Sequence, residues 1–272
     1  MTGGAGSIGS EFVKTLSMLK EPKAIRVFDC DEYGLFNLNL SLKDPRIRLL
    51  MGDVKDRERV KLALQGVDIV VHFAAVKNLD ITEYNVPEAV RTNVLGTINM
   101  IEESFKAKPE KFLFISSDKS IDKNSLYGAT KFIGEKLILW AHKISDGTSF
   151  SCTRFGNVIE SRGNVFDVWK NQVKDSKPLT ITNPNSKRYY WHVSDAVHFI
   201  LNVIRRMDGG EIFVPPMEAF TAIEMANKMY PGYPTEVVGL RHNEIMNQEL
   251  LTDEERSRTY APAFEGWTIR EE

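Results

Sequence analysis

Three glycines at the head of the chain constrain its fold more than any other feature. Residues 1–10 read MTGGAGSIGS, with Gly3, Gly6 and Gly9 at regular three-residue intervals. An apolar-periodic stretch, Phe12 to Leu19, follows them and reads as a helix. Glycines in such a turn let the backbone approach a pyrophosphate, and the helix start, here Ser7, Ile8 and Gly9, offers N–H groups to it. Ala24 to Phe28 is β-like and ends in Asp29. A carboxylate about 20 residues past the glycines is the group expected on an adenosine ribose. Glycines also make plain turns; loop, strand and Asp29 together point to a dinucleotide. That fold requires a central strand directly before the loop, and only Met1 and Thr2 precede Gly3. The first strand is therefore expected to be missing from the middle of a parallel sheet, at a cost in stability or cofactor binding.

Strand and helix patterns then alternate. Ile47 to Leu50 is apolar and leads to Gly52-Asp53. Asp53 can approach an adenine edge or cap the next helix, Arg57 to Leu64. Val67 to Phe73 is nearly continuously apolar, as a buried parallel strand is. Ala74 and Ala75 follow, small enough for backbone to pass close to a cofactor, and then Lys77. A helical segment from Pro87 to Phe105 contains Asn93, a residue expected to bridge backbone groups. Phe150 to Phe155 is another strand, ending in Arg154-Phe155-Gly156-Asn157. Ligands bind at such carboxyl ends in open α/β sheets. The order predicts a doubly wound, Rossmann-type α/β domain over residues 1–160. Residues 161–272 change composition and predict mainly a smaller C-terminal substrate-binding lobe, with some segments returning to the first domain. There Arg162, Arg188 and Arg241 are candidates for an anionic group such as a diphosphate; each is equally readable as an ordinary surface residue.

The stretch Lys111 to Lys131, KFLFISSDKSIDKNSLYGATK, carries the densest chemistry. An apolar strand, Phe112 to Ile115, gives way to Ser116, Ser117, Asp118 and Lys119. Tyr127 and Lys131 stand at i and i+4, one face of a helix. A tyrosine has a reference pKa of about 10, and a neighbouring ammonium is expected to lower it. A hydroxyl, a carboxyl group, two amines and a phenol can thus converge near one strand end. YxxxK on a helix also occurs by chance, and Asp-Lys after a strand is often a solvated turn.

Composition excludes several classes. The 272 residues carry 35 basic and 37 acidic side chains, a net charge of −2, which speaks against a nucleic-acid or membrane-surface partner. Two cysteines, Cys30 and Cys152, fit a reducing compartment and exclude a disulfide framework or cysteine-rich metal site. No apolar run approaches the roughly 18 residues of a membrane span, and no secretion signal precedes the first motif. The expectation is a cytoplasmic protein without a metal.

Assembled, these motifs resemble the extended short-chain dehydrogenases/reductases, and among them the UDP-N-acetylglucosamine 4,6-dehydratase family of polysaccharide biosynthesis. The resemblance runs from Met1 to about Glu255. It rests on TGGAGSIG (Thr2–Gly9), HFAAVK (His72–Lys77), TNVLGT (Thr92–Thr97), SDK (Ser117–Lys119), YGATK (Tyr127–Lys131), RFGNVIESRG (Arg154–Gly163), GEIFVP (Gly210–Pro215) and GLRHNE (Gly239–Glu244). SDK ten residues ahead of the tyrosine is the discriminating feature. Related epimerases lack the Asp-Lys pair, and dTDP-sugar dehydratases place Asp-Glu there. The chain departs from the family at Lys123, Ser125 and His242-Asn243, and in carrying Asp29-Cys30 where Ser-Arg is common. A carboxylate at Asp29 would repel a 2′-phosphate, so NAD is favoured over NADP.

The resemblance implies a C4 oxidation, a C5–C6 water elimination and a hydride return to C6 on UDP-N-acetylglucosamine. Tyr127, Lys131 and Ser117 would serve the oxidation, Lys119 would take the C5 proton, and Asp118 would protonate the departing 6-hydroxyl. Lys131 would also hold the cofactor ribose. Lys77, Asn157, Arg162, Arg188, Arg241 and Glu244 would hold the UDP-sugar, with a strand-end hydrogen bond as the other reading of Asn157. A homo-oligomer is implied as well. A UDP-N-acetylhexosamine 4-epimerase and a non-catalytic dinucleotide-binding module stand as alternatives.

Overall fold

The computed structural model describes residues 1–240, 244–259 and 266–270. The chain begins with α1 (Ser7–Met18), β1 (Ile25–Asp29), α2 (Glu32–Ser41), β2 (Ile47–Met51), α3 (Arg57–Leu64) and β3 (Ile69–His72). Next come α4 (Leu79–Tyr84), α5 (Val86–Val90), a π-helical turn (Arg91–Leu95), α6 (Gly96–Ala107) and β4 (Lys111–Ile115). A 3₁₀ turn (Asp118–Ser120), α7 (Leu126–Ile144), β5 (Ser149–Thr153), β6 (Asn157–Val158) and α8 (Val165–Lys174) follow. The rest comprises β7 (Leu179–Ile181), β8 (Lys187–Trp191), α9 (Val193–Arg206), β9 (Glu211–Val214), β10 (Glu218–Thr221), α10 (Ala222–Met229), β11 (Thr235–Val237), α11 (Asp253–Arg258) and β12 (Trp267–Arg270).

The main sheet runs β12-β9-β5-β4-β3, parallel except for β12, which is antiparallel to β9. The parallel pair β1-β2 stands on the far side of the chain start. Thr2 bridges Phe28 on one side and His72 on the other. Phe28 N donates to Met1 O at 2.9 Å, and Thr2 N donates to Val71 O at 3.0 Å. Met1 and Thr2 thus pair with β1 and β3 where a central strand belongs.

Strand β4 shows why the sheet is covered on both faces. Successive side chains of a strand point oppositely. Phe112 and Phe114 enter one core with Met100, Ile138 and Phe150, beneath α6 and α7. Leu113 and Ile115 enter the other with Phe12, Val197, Ile200 and Val203, beneath α1 and α9. All four are at most 6% exposed, so β4 has no solvent face and its sequence cannot alternate. Truncating one of these phenylalanines to alanine costs about 3–5 kcal/mol. The predicted doubly wound sheet is present, and β4, next to the chain's sharpest change from apolar to polar residues, lies inside it.

Outside the main sheet, strands β10-β8-β6 form one small sheet and β11-β7 another. Phe166, Trp169, Leu179, Ile181, Tyr190, Met225 and Ala226 make a separate apolar cluster. The helix read as continuous from Pro87 to Phe105 is divided instead into α5, the π turn and α6. Asn93 sits in that π turn. Its Oδ1 accepts from Val76 N at 2.8 Å, and its Nδ2 donates to Val76 O and Thr130 Oγ1. It bridges backbone as expected and fixes the loop that carries Lys77. Among the described residues no helix is long and apolar enough to cross a membrane.

Candidate active site

The site lies over the carboxyl ends of β1, β3, β4 and β5 and the first turns of α1 and α7. The glycine loop comes first. Gly3 has φ +66°, and a Cβ there would fall 2.7 Å from Ala74 N. A Cβ on Gly9 would collide with the Gly3 carbonyl oxygen. The loop is therefore drawn tight and its backbone stays bare. Gly6 caps α1 with no side-chain hydrogen bond, which leaves the helix-start N–H groups at Ser7, Ile8 and Gly9 clear of a side-chain acceptor. Ala74 lies directly across from Gly3.

Asp29 is held at the end of β1. Its Oδ2 accepts from Ala5 N at 2.8 Å and its Oδ1 from Asp31 N at 3.0 Å. Cys30 is exposed, and burial and then the charges of Asp29 and Asp53 push its thiol pKa up, so Asp29 and Asp53 both stand close to it. Asp53 does not cap α3; that role falls to Asp56, which accepts from Arg59 N. Asp53 instead accepts from Lys55 N and pairs with the Lys55 ammonium at 3.2 Å.

The polar stretch after β4 turns sharply. The 3₁₀ turn Asp118–Ser120 begins at Ser117, and Asp118 is only 1% exposed. Ser117 Oγ donates to Asp118 Oδ1 at 2.8 Å, and Lys119 Nζ donates to the same oxygen at 3.1 Å. Asp118 Oδ2 is buried with no hydrogen-bond partner among the described residues. Lys119 Nζ also donates to Asn157 Oδ1 at 3.3 Å. The Asn157 amide is oriented from behind, donating to Tyr189 O and to Gln248 Oε1.

Ser125 caps α7 through Gly128 N. This fixes the first turn, on which Tyr127 stands and from which Lys131 follows. Tyr127 faces Ser117 and Asp118. Lys131 Nζ donates to Ile115 O at 2.7 Å and sits 5.9 Å from the Tyr127 ring centroid. Burial lowers the Lys131 pKa to about 8. The expected lowering of the Tyr127 pKa is not found. Burial, and then the Asp118 charge, push it well above the ordinary value, and the nearby Ser117 hydroxyl offsets only part of this. The sequence displays the neighbouring amine but not the desolvation.

The remaining candidates fall in separate places. Lys77 is held below the ordinary lysine value by burial and then by the charges of Lys119 and Arg162, with Asp167 opposing. Arg162 lies against the glycine loop: its N donates to Ser7 Oγ and its Nη2 to Ala5 O. Arg188 donates to Glu244 Oε1 at 2.9 Å and to the carbonyls of Lys187, Ile245 and Met246. Glu244 also accepts from Thr182 Oγ1. Arg241 lies outside the described residues.

Sequence reasoning missed a buried polar network behind the turn. Glu135 on α7 accepts from Ser116 Oγ, Ser120 Oγ and Arg154, and Arg154 also grips Glu255 of α11. A charged residue one turn beyond Lys131, on the inward face of α7, was the available signal.

A family model described as polysaccharide biosynthesis protein matches residues 1–265. A Methanocaldococcus jannaschii protein described as an uncharacterized membrane protein is 41% identical over 94% of this chain and 80% of its own length. An inverting UDP-N-acetylglucosamine 4,6-dehydratase of Campylobacter jejuni is 34% identical over 96% of this chain and 79% of its own. A UDP-glucose 4-epimerase of Rickettsia bellii is 34% identical over 95% and 78%. The solved structure of Pen from Bacillus thuringiensis superposes with a TM-score of 0.93 at 33% identity, covering 99% of this chain and 85% of that one. The fold, the glycine loop, the Ser117–Tyr127–Lys131 cluster and these matches lead to one conclusion: the chain is an enzyme belonging to the polysaccharide biosynthesis protein family of extended short-chain dehydrogenases/reductases.

Proposed function

We propose that the chain is a nucleotide-sugar 4,6-dehydratase acting on UDP-N-acetylglucosamine, with a nicotinamide dinucleotide as its resident cofactor. The observation that carries this reading is Asp118 beside Lys119. A buried acid with one unpartnered oxygen stands in contact with an amine and with the Ser117–Tyr127 pair. An oxidation alone requires Ser117, Tyr127 and Lys131; an adjoining acid–amine pair adds the means to move two more protons.

The residues fit a dinucleotide. The glycine loop leaves bare backbone at Gly3, Gly6 and Gly9, and Ser7 and Ile8 open α1 without a side-chain cap. Ala74 adjoins Gly3. Asp29, with Asp53 nearby, would hold the adenosine end, and the acidic pair favours NAD over NADP. When bound there, a nicotinamide dinucleotide would supply the hydride acceptor for C4 and the hydride donor for C6.

The side chains do the rest. Tyr127 takes the 4-hydroxyl proton while Ser117 orients that oxygen. Burial and Asp118 raise its pKa, and the positive charge of a bound oxidised nicotinamide would favour the phenolate. Lys131 holds the ribose. The C4 ketone makes the C5 proton acidic; once the Lys119 ammonium has passed a proton to Asp118 along their hydrogen bond, the neutral amine would remove the C5 proton, Asp118 would protonate the departing 6-hydroxyl, and Lys119 would return a proton to C5 as hydride reaches C6. Lys77 and Arg162 would meet the diphosphate, since an anion there would offset both the burial and the repulsion from Lys119 and Arg162 that depress Lys77. Asn157 would orient Lys119 and the sugar. Arg188, Glu244 and Arg241 would hold the nucleotide end, Arg188 by fixing Glu244. Ile133, Trp140 and Ile144 form an exposed apolar row on α7, which supports a homo-oligomer joined there.

A second reading, 4-epimerisation, is favoured by the Rickettsia relative. The product separates them: incubation with UDP-N-acetylglucosamine yields a 6-methyl proton signal under dehydration and none under epimerisation.

A further inference from the structure

One carboxylate oxygen secures both ends of the turn that carries Asp118 and Lys119. Glu135 Oε1 accepts from Ser116 Oγ at 2.6 Å, just before the turn, and from Ser120 Oγ at 2.8 Å, at its end. Arg154, which follows β5, fixes that carboxylate with Nε to Oε1 at 2.9 Å and Nη2 to Oε2 at 2.8 Å. Glu135 and Arg154 are each 2% exposed. The opposite edge of the same guanidinium donates to both Glu255 oxygens at 2.8 Å and to Leu250 O at 3.2 Å. Glu255 belongs to α11, where it closes a capping box with Thr252. Burial pushes the Glu255 carboxyl up, but its bonds to Arg154 hold it below the ordinary value.

The network touches the two chemical tools unequally. Tyr127 and Lys131 are set by the Ser125 cap and by Ile115 O. Ser117, Asp118 and Lys119 lie between the two serines that Glu135 holds, so the oxidation has one of its three groups in the turn and the elimination has both of its own. Among the described residues the hydrogen bonds of Glu135 and Arg154 go to Ser116, Ser120, Glu255, Leu250 O and each other, an arrangement suited to placement.

We propose that Glu135 is a positioning residue for the Asp118–Lys119 turn. Through Arg154, Glu255 makes the docked C-terminal helix α11 a condition for the elimination step. C4 oxidation depends on it much less. This inference rests on the dehydratase reading. A carboxylate bound by two serine hydroxyls and a bidentate arginine holds one geometry, and a misplacement of about 1 Å in a reacting group costs up to about 10²-fold in rate.

The test separates the two half-reactions. Glu135→Gln leaves the buried Arg154 cation with only the Glu255 carboxylate to balance it and can fail to fold, so the informative variants are Ser120→Ala and Glu255→Gln. Both keep the Glu135–Arg154 pair. Each is mixed in excess with UDP-N-acetylglucosamine in deuterated water. Nicotinamide absorbance reports C4 oxidation, and proton NMR reports C5 exchange and 6-methyl formation. The expected result is water loss slowed about tenfold or more, with oxidation within about twofold of the unsubstituted protein. Reduced cofactor then accumulates. A merely structural role lowers the melting temperature and both half-reactions in parallel, and that outcome, or unchanged water loss in both variants, overturns the proposal. If the unsubstituted protein itself forms no 6-methyl product, the dehydratase reading fails and takes this inference with it.

Discussion

Lys119 and Asp118 are neighbours in sequence and partners in space: the Lys119 ammonium donates to Asp118 Oδ1 at 3.1 Å, while Asp118 Oδ2 is buried and has no partner among the described residues. A buried acceptor without a partner costs about 1–3 kcal/mol. Native structures keep few such groups, and those that persist call for an explanation. In this reading the missing partner is the 6-hydroxyl of a sugar.

Replacing Asp118 by Asn keeps the shape and removes the acid. We expect dehydration to fall by about 10²–10⁴-fold, with cofactor binding unchanged, as read by NMR and by cofactor titration. An undiminished rate of water loss excludes the acid role.

The cluster of Lys77, Lys119 and Arg162 predicts an anion. Lys77→Met removes one cation, and UDP is expected to bind about 10- to 100-fold more weakly, the loss of one charge-assisted hydrogen bond. The dependence of affinity on salt should become shallower. Calorimetric titration with UDP checks both, and an unchanged dissociation constant removes Lys77 from the diphosphate site.

Cofactor choice turns on Asp29. Asp29→Asn keeps an oxygen for Ala5 N and loses the charge. The preference for NAD over NADP should shrink by about tenfold or more, because a like charge beside a 2′-phosphate costs several kcal/mol. Competitive binding of the two dinucleotides measures it. Equal discrimination before and after substitution means another group selects.

His72 predicts acid sensitivity. It is fully buried, with Thr2 and Thr97 hydroxyls at 2.6 and 3.1 Å from its ring nitrogens. Burial, then the Lys131 and N-terminal charges, lower its pKa from 6.5 to about 3. Between these values the unfolded chain binds a proton that the folded chain refuses, so stability falls as pH drops from 6.5 toward 3. In His72→Gln this part of the slope disappears, although stability is lower throughout. Melting temperatures of both proteins from pH 7 to pH 4 decide it; parallel curves mean that His72 does not contribute.

Features written locally were legible. The glycine loop, Asp29 after a strand, and Tyr127 with Lys131 on one helix face each depend on short spacings, and backbone geometry converts such spacings directly into proximity. The strand ends gathered them because a doubly wound sheet leaves little choice. The support behind the site was not legible. Arg154 meets Glu135 across 19 positions and Glu255 across 101, and Asn157 meets Gln248 across 91; no spacing announces such pairs. Arg162 and Arg188 read as one group in sequence, yet their hydrogen bonds go to the glycine loop and to Glu244. The direction of the Tyr127 shift was misjudged for the same reason. A neighbouring charge can be read from sequence, whereas the extent of burial appears only in the fold.

The most direct measurement is the proton NMR spectrum of UDP-N-acetylglucosamine incubated with the protein and nicotinamide dinucleotide in deuterated water. A new 6-methyl signal with deuterium at C5 is the predicted result, since Lys119 and Asp118 must exchange protons with solvent between turnovers. A C4-inverted sugar without a methyl signal, or unchanged substrate, contradicts it.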